Sequence, residues 1–321
     1  MQSDGQNGNW GRWGTDDERG ALNLATSEVV LEAARALRTG KVYSLALPIS
    51  RSRTPAVFDR PPPERFTRTA PGDSPAAGAA SDRPRVGSAD DMLVIASHSG
   101  THLDSLSHVF EGDTFYNGHP VDSFTSRRGA SKCSITQTGT FATRAVLLDV
   151  AELVAGVPAV PPSSERSDVS AGVPAATPSV LVAGHTITAV ELEGCCERQG
   201  VTVRPGDAVL IRTGWLEALR RDPATPPYPQ AGIGLDAAAW LQAKDVAVVA
   251  ADNSAIEVLP FDAGRDLGVH VELLVHSGVG LLEHAWLAEL AADECYESLL
   301  VVGALPVVGA TGSPVNPIAI G

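Results

Sequence analysis

Met92-Leu-Val-Ile-Ala-Ser-His-Ser-Gly-Thr-His-Leu-Asp-Ser-Leu-Ser-His108 reads as an apolar strand delivering four side chains that bind metals or move protons: His98, His102, Asp104 and His108. Imidazole and carboxylate together suit zinc, manganese or iron(II), whose ligands donate lone pairs in neutral or anionic form. On an extended strand these even-numbered residues would share one face. Straight backbone at ~3.3 Å per residue would hold His98 and His102 about 13 Å apart, too far for two bonds of roughly 2.0–2.2 Å to one ion. The chain must therefore turn between them. Gly100 lies at the midpoint, where a residue without Cβ takes the dihedrals of a tight turn. Beyond it His102 and Asp104 share a face, and a helix starting at Ser105 would put His108 one turn from Asp104. His98, His102 and Asp104 form a feasible ligand set, with His108 just outside it. The alternative, separately satisfied histidines and a capping aspartate, is disfavoured by such density in so short a stretch.

Outward from this stretch, Ala145–Val150, Ala208–Thr213, Val246–Ala251 and Leu299–Val302 are short, largely β-branched apolar runs, the pattern of strands buried on both faces. Residues 42–49 read as a further strand. Thr26–Leu37 has helical apolar spacing, Thr188-x-x-Glu191 is a capping-box signal for a helix that Gly200 ends, and Leu235–Lys244 is another helix candidate. Strands alternating with helices indicate an α/β fold. Two stretches rich in Pro, Ala, Ser and Gly, 54–91 and 156–178, read as loop insertions, the first a surface loop beside the site.

The stretch from His98 to His108 resembles the HxGTHxDxPxH signature of the cyclase family of metal-dependent hydrolases, which includes kynurenine formamidases and isatin hydrolases. It matches at His98, Gly100, Thr101, His102, Asp104 and His108; Leu106 replaces the proline, and Val109 stands before Phe110 where an aromatic residue often follows. The opening Asn9–Leu24, Tyr116-Asn-Gly118, Arg212-Thr-Gly-Trp215, Asp252-Asn253 and Gly312-Ser-Pro-Val-Asn-Pro317 are also similar to the longer members. The resemblance implies one domain spanning residues 1–321, of the swivelling β/β/α type, with a mixed-sheet, barrel-like core and flanking helices. It further implies a second half of the site at His270 and Glu283, with Asp104 bridging two ions. It also implies a homodimer or homotetramer. Glu283 could instead open a helix at His284, and His270 could lie on a solvated helical face with Glu272 and His276. Glu272, His276 and His284 are not expected to be ligands, and His119 and His185 read as structural.

Composition narrows the function. With 44% hydrophobic and 19% charged residues, the 321-residue chain has the make-up of a soluble globular protein. A net charge of −14 argues against nucleic acid or an anionic membrane and favours a small-molecule substrate. The opening has no basic-then-apolar leader and no apolar run reaches membrane-spanning length, so a cytoplasmic location is expected. Cys133, Cys195, Cys196 and Cys295 lack zinc-type paired spacing and read as reduced, buried thiols. A serine hydrolase is disfavoured because no G-x-S-x-G elbow occurs.

The expected activity is hydrolysis of an amide, lactam or lactone by water activated at one or two zinc or manganese ions, with His108 as general acid/base. Trp215, Phe110 and Tyr116 are candidates to line the substrate pocket. Alternatives are a metal-dependent cyclase or dehydratase acting on a polyketide-like substrate, and a metal-stabilised binding protein without turnover.

Overall fold

The computed structural model describes residues 8–73, 86–155 and 179–321. Nine strands form one mixed sheet: β1 Val42–Ser44, β2 His102–Asp104, β3 Thr140–Asp149, β4 Ala208–Arg212, β5 Val248–Ala251, β6 Gly280–Glu283, β7 Glu297–Gly303, β8 Gly312–Pro314 and β9 Ile318–Ile320. Their order is β1-β9-β7-β3-β4-β5-β6-β2-β8. The four central strands β3, β4, β5 and β6 run parallel, and every pairing outside them is antiparallel. Ala208–Arg212 and Val248–Ala251 are wholly buried, which explains their unbroken apolar runs: both faces of a parallel sheet are covered. One apolar cluster packs helices against one face through Leu192, Ala238, Leu241, Leu273 and Leu274, and a second fills the other through Tyr43, Leu45, Ile135, Leu290 and Leu300.

The expected helices form where local chemistry starts and stops them. α1, Ser27–Arg35, is capped by the Thr26 side chain, which accepts from Val29 N. α2, Ala189–Gln199, has a full capping box between Thr188 and Glu191 and ends at left-handed Gly200. α3 spans Leu235–Ala243. The mixed α/β fold with flanking helices is as expected.

Three local readings differ in detail from the structure. The strand read at 42–49 stops at Ser44, because Leu45 N then donates to Pro317 O and Leu47 N to Thr101 Oγ1 rather than continuing the ladder. The apolar run at Met92 is not in the main sheet: Asp90–Val94 pairs with Glu64–Thr69 in a separate antiparallel ribbon with Phe66, Met92, Leu93 and Val94 exposed. The first loop insertion thus contains strand; its residues 74–85, and the whole of 156–178, lie outside the described residues. No helix follows Ser105. Its hydroxyl bonds Ser107 Oγ at 2.9 Å and accepts from Ser107 N, a local bond that competes with helix initiation and leaves a single turn closed by His108 N to Ser105 O.

The N-terminal segment straps across the molecule. Trp10 Nε1 donates to Val275 O, Asn9 Nδ2 to Ser277 O, and Ala21 N to Gly278 O. Cys133, Cys195 and Cys196 are buried free thiols and Cys295 is half-buried. Among the described residues no helix is long and apolar enough to cross a membrane.

Candidate metal centre

The site assembles where β6, β2 and β8 meet. His102 and Asp104 are two residues apart on β2 and so face the same way, and Glu283 is the direct cross-strand partner of His102 on β6. Opposed residues in an antiparallel pair hold their Cβ atoms about 4.5–5.5 Å apart, which brings imidazole and carboxylate together. On the other side Gly312 of β8 is paired with Asp104. A Cβ at Gly312 would fall 2.5 Å from His98 Cε1, so the bare backbone there makes the room in which the His98 ring lies. Gly100 provides the expected turn at φ +66°.

Asp104 is the hub. His98 Nδ1 lies 2.6 Å from Asp104 Oδ1, and its other nitrogen lies 2.9 Å from Thr311 Oγ1. His102 Nε2 is 3.6 Å from Asp104 Oδ1 and 3.4 Å from Glu283 Oε2. His270 Nε2 is 3.4 Å from Glu283 Oε1 and 4.0 Å from Asp104 Oδ2. His98, Asp104 and His108 form one group of closely spaced donors, and His102, Asp104 and Glu283 another, with Asp104 common to both. The structure therefore gathers all six candidates, but divides His98 and His102 between two groups and places His108 as near a ligand position as His98. The His98 and His108 rings stack at 3.9 Å.

The donor set fits a divalent cation. Among the described residues His102 Nε2, Asp104 Oδ2 and Glu283 Oε2 are buried without hydrogen-bond partners. An unsatisfied buried polar atom costs about 1–3 kcal/mol, so three converging ones mark a position shaped for a group that accepts their lone pairs. Bonds of roughly 2.0–2.2 Å in tetrahedral geometry place donors about 3.3–3.6 Å apart, the spacing found around Glu283.

Electrostatics follow from depth. Burial drives His102 well below its ordinary value and His108 down to about 3, so both imidazoles are neutral. Burial would raise the Asp104 carboxyl, but the surrounding histidines, above all the His98 ring hydrogen-bonded to it at 2.6 Å, hold it below its ordinary value. Burial, reinforced by the charge of Asp104, pushes Glu283 up to about 7 against the opposing pull of His270. Burial would lower His270, yet its contacts with Glu257 and Glu283 raise it to about 10.

Several supporting residues carried no sequence signal. Arg60, in the first insertion, donates to His98 O at 2.5 Å, and Gly100 O lies 2.8 Å from His102 Nδ1. His284 sits beside that carbonyl at 3.1 Å through Nδ1 and bonds Ser254 Oγ through Nε2, so both its nitrogens are occupied. It steadies the His102 turn. Glu283 closes β6 and does not open a helix; the next helix begins only at Ala288. His276 pairs with Glu272 and Glu111, His119 with Asp17 O, and His185 with Glu191.

The three pocket candidates separate. Trp215 stacks on His284 at 5.8 Å and lines an apolar cavity of about 120 Å³ with Leu181, Val180, Tyr228 and Pro229. Phe110 is exposed, edge-on to Phe115. Tyr116 is fully buried and its hydroxyl donates to Asp17, a packing position that anchors the N-terminal strap.

Residues 43–258 match the family model described as "Putative cyclase". The chain belongs to the cyclase family. A crystal structure described as that of a novel cyclase is 36% identical to this cyclase-family chain, covers 98% of it and 97% of its own length, and has a TM-score of 0.82. Isatin hydrolase A from Ralstonia solanacearum is 18% identical over 92% of this chain and 97% of its own, with a TM-score of 0.60. A "predicted metal-dependent hydrolase" from Bacillus stearothermophilus is 19% identical over 87% and 98%, with a TM-score of 0.50. At these lower identities the likeness is one of fold. No curated protein matches this cyclase-family chain.

Proposed function

We propose that this protein is a metal-dependent hydrolase that opens the C–N or C–O bond of an amide, lactam or lactone. The reading is carried by the three unpartnered lone pairs of His102, Asp104 and Glu283 converging in a buried pocket. The names borne by the structural neighbours, isatin hydrolase and metal-dependent hydrolase, support it. His98, His102, Asp104, His270 and Glu283 would hold one or two ions, zinc or manganese, with Asp104 shared. Such an ion, when bound, lowers the pKa of a water from 15.7 to about 7 and polarises a carbonyl.

The protein's own groups supply the rest. His108 is half-exposed and stacked on His98, placed to accept a proton at a ring nitrogen and return it to the departing nitrogen or oxygen. His284 and Arg60 fix the backbone on either side of the Gly100 turn, holding His98 and His102 in register. The Trp215 cavity would take an apolar part of a small substrate.

His108→Ala should retain metal while losing about 100-fold or more in turnover across a panel of cyclic amides, lactones and formamides. Unchanged turnover would remove His108 from the chemistry. The 36% identity to a structure described as a cyclase favours a second reading, intramolecular ring closure at the same site. Product mass separates the two: hydrolysis adds a water, whereas cyclisation conserves mass or loses one.

A further inference from the structure

Glu257 belongs to no motif, yet the fold holds it with unusual firmness. It is 1% exposed and its carboxylate faces a single target. Oε1 lies 2.5 Å from His270 Nδ1, Oε2 accepts from Val269 N at 3.2 Å, and Oε1 also accepts from His270 N at 3.4 Å. The carboxylate thus grips both the ring and the backbone turn that carry His270. His270 Nε2, at the ring's other end, is the atom that faces Glu283 and Asp104.

The segment bearing Glu257 is itself clamped. Asn253 Nδ2 donates to Ala231 O at 2.8 Å and approaches Ile256 O at 3.3 Å and Glu257 O at 3.2 Å. The Glu257 carbonyl packs so closely on Gly232 that a Cβ there would fall 2.3 Å from it. Ile256, a β-branched residue, is buried at φ +59°, a conformation that such side chains disfavour by about 1–3 kcal/mol. Strain of this kind persists only where surrounding contacts over-determine it, and here it aims the next side chain.

We propose that Glu257 is a positioning residue: it fixes the His270 ring so that Nε2 presents its lone pair to a metal ion shared with Glu283 and Asp104. A histidine ligand whose second nitrogen donates to a carboxylate is locked in tautomer and orientation, and loss of such a partner typically weakens metal binding 10–100-fold. The inference rests on the metal-dependent reading above and adds a residue which acts only through His270.

The test is zinc and manganese titration of metal-stripped protein by calorimetry, with the metal alone as ligand. Glu257→Gln should bind about 10–100-fold more weakly than wild type. In a His270→Ala background the same change should cost nothing further, since the ring it orients is gone. Glu257→Asp, which keeps the carboxylate but shortens it, should fall between wild type and Glu257→Gln, and it carries the test if the glutamine variant does not fold. Equal affinity of wild type and either folded Glu257 variant overturns the proposal, as does an undiminished loss in the His270→Ala background. Wild-type protein that takes up neither metal would instead remove the metalloenzyme reading itself, together with this one.

Discussion

Two kinds of buried ionisable cluster lie along the same sheet, and they are built on opposite principles. In the first kind, Arg144 donates to Asp207 at 2.7 Å, to Glu297 and to Thr202 O; at the other end of the β3–β4 pair, Arg212 donates to Asp149 and Glu217 at 2.7 Å each and to Ser179 O. Each guanidinium meets two carboxylates and a carbonyl, so every buried charge has an opposite partner and the donors are used. In the second kind, the His102–Asp104–Glu283 group includes no guanidinium and leaves three buried lone pairs unpartnered. Burial with every acceptor met favours a structural role, whereas converging unmet acceptors leave room for a ligand. The arginine clusters tie strands β3, β4 and β7 to their surroundings, whereas the histidine cluster keeps three lone pairs that a cation could take up.

The contrast can be broken at either side. Arg144→Ala should have the largest effect on stability, about 3–5 kcal/mol in denaturant unfolding, because it strands Asp207 in a buried position without its cation. The histidine cluster should respond to an added ion instead. Zinc or manganese at a thousandfold excess over Kd should stabilise wild type by about 4 kcal/mol, and Asp104→Asn should abolish that gain in the same thermal or denaturant assay. Gly312→Ala should cost about 1–3 kcal/mol, since its methyl would drive the His98 ring from its place, and should weaken metal binding where a glycine-to-alanine change elsewhere on an edge would not.

A pH series gives the most diagnostic effect. His270 and Glu283 both sit above their unfolded values, at about 10 and about 7. Groups raised in the folded state contribute stability that is complete below the unfolded value and is lost as pH rises through the folded one. Metal-free protein should therefore lose stability from these two groups as pH rises from 4.5 through 7 for Glu283, and from 6.5 through 10 for His270. Ligation displaces the same protons, so the gain in Tm on adding metal should grow with pH across about 5 to 8. A gain independent of pH would show that these groups do not take part.

Much of this was legible in the chain. The β-branched runs at 145–150, 208–213 and 246–251 announce strands because both faces of the parallel centre are covered. The Gly100 turn and the shared face of His102 and Asp104 follow from backbone geometry. What escaped depended on distant pairing or on local competition. Nothing in the spacing of Glu257 and His270 announces their contact, and Gly312 reveals its purpose only when β8 lies against Asp104. The strand at Met92 forms, but its sequence does not say that it pairs in a separate ribbon with Met92, Leu93 and Val94 exposed. Ser105 spends its hydroxyl on Ser107, and the helix expected there does not start.

Equilibrium dialysis against zinc or manganese, followed by elemental analysis, tests the central claim most directly. Each wild-type chain should retain at least one ion, and Asp104→Asn almost none. Wild type that retains no ion, or Asp104→Asn that retains as much, would contradict that claim.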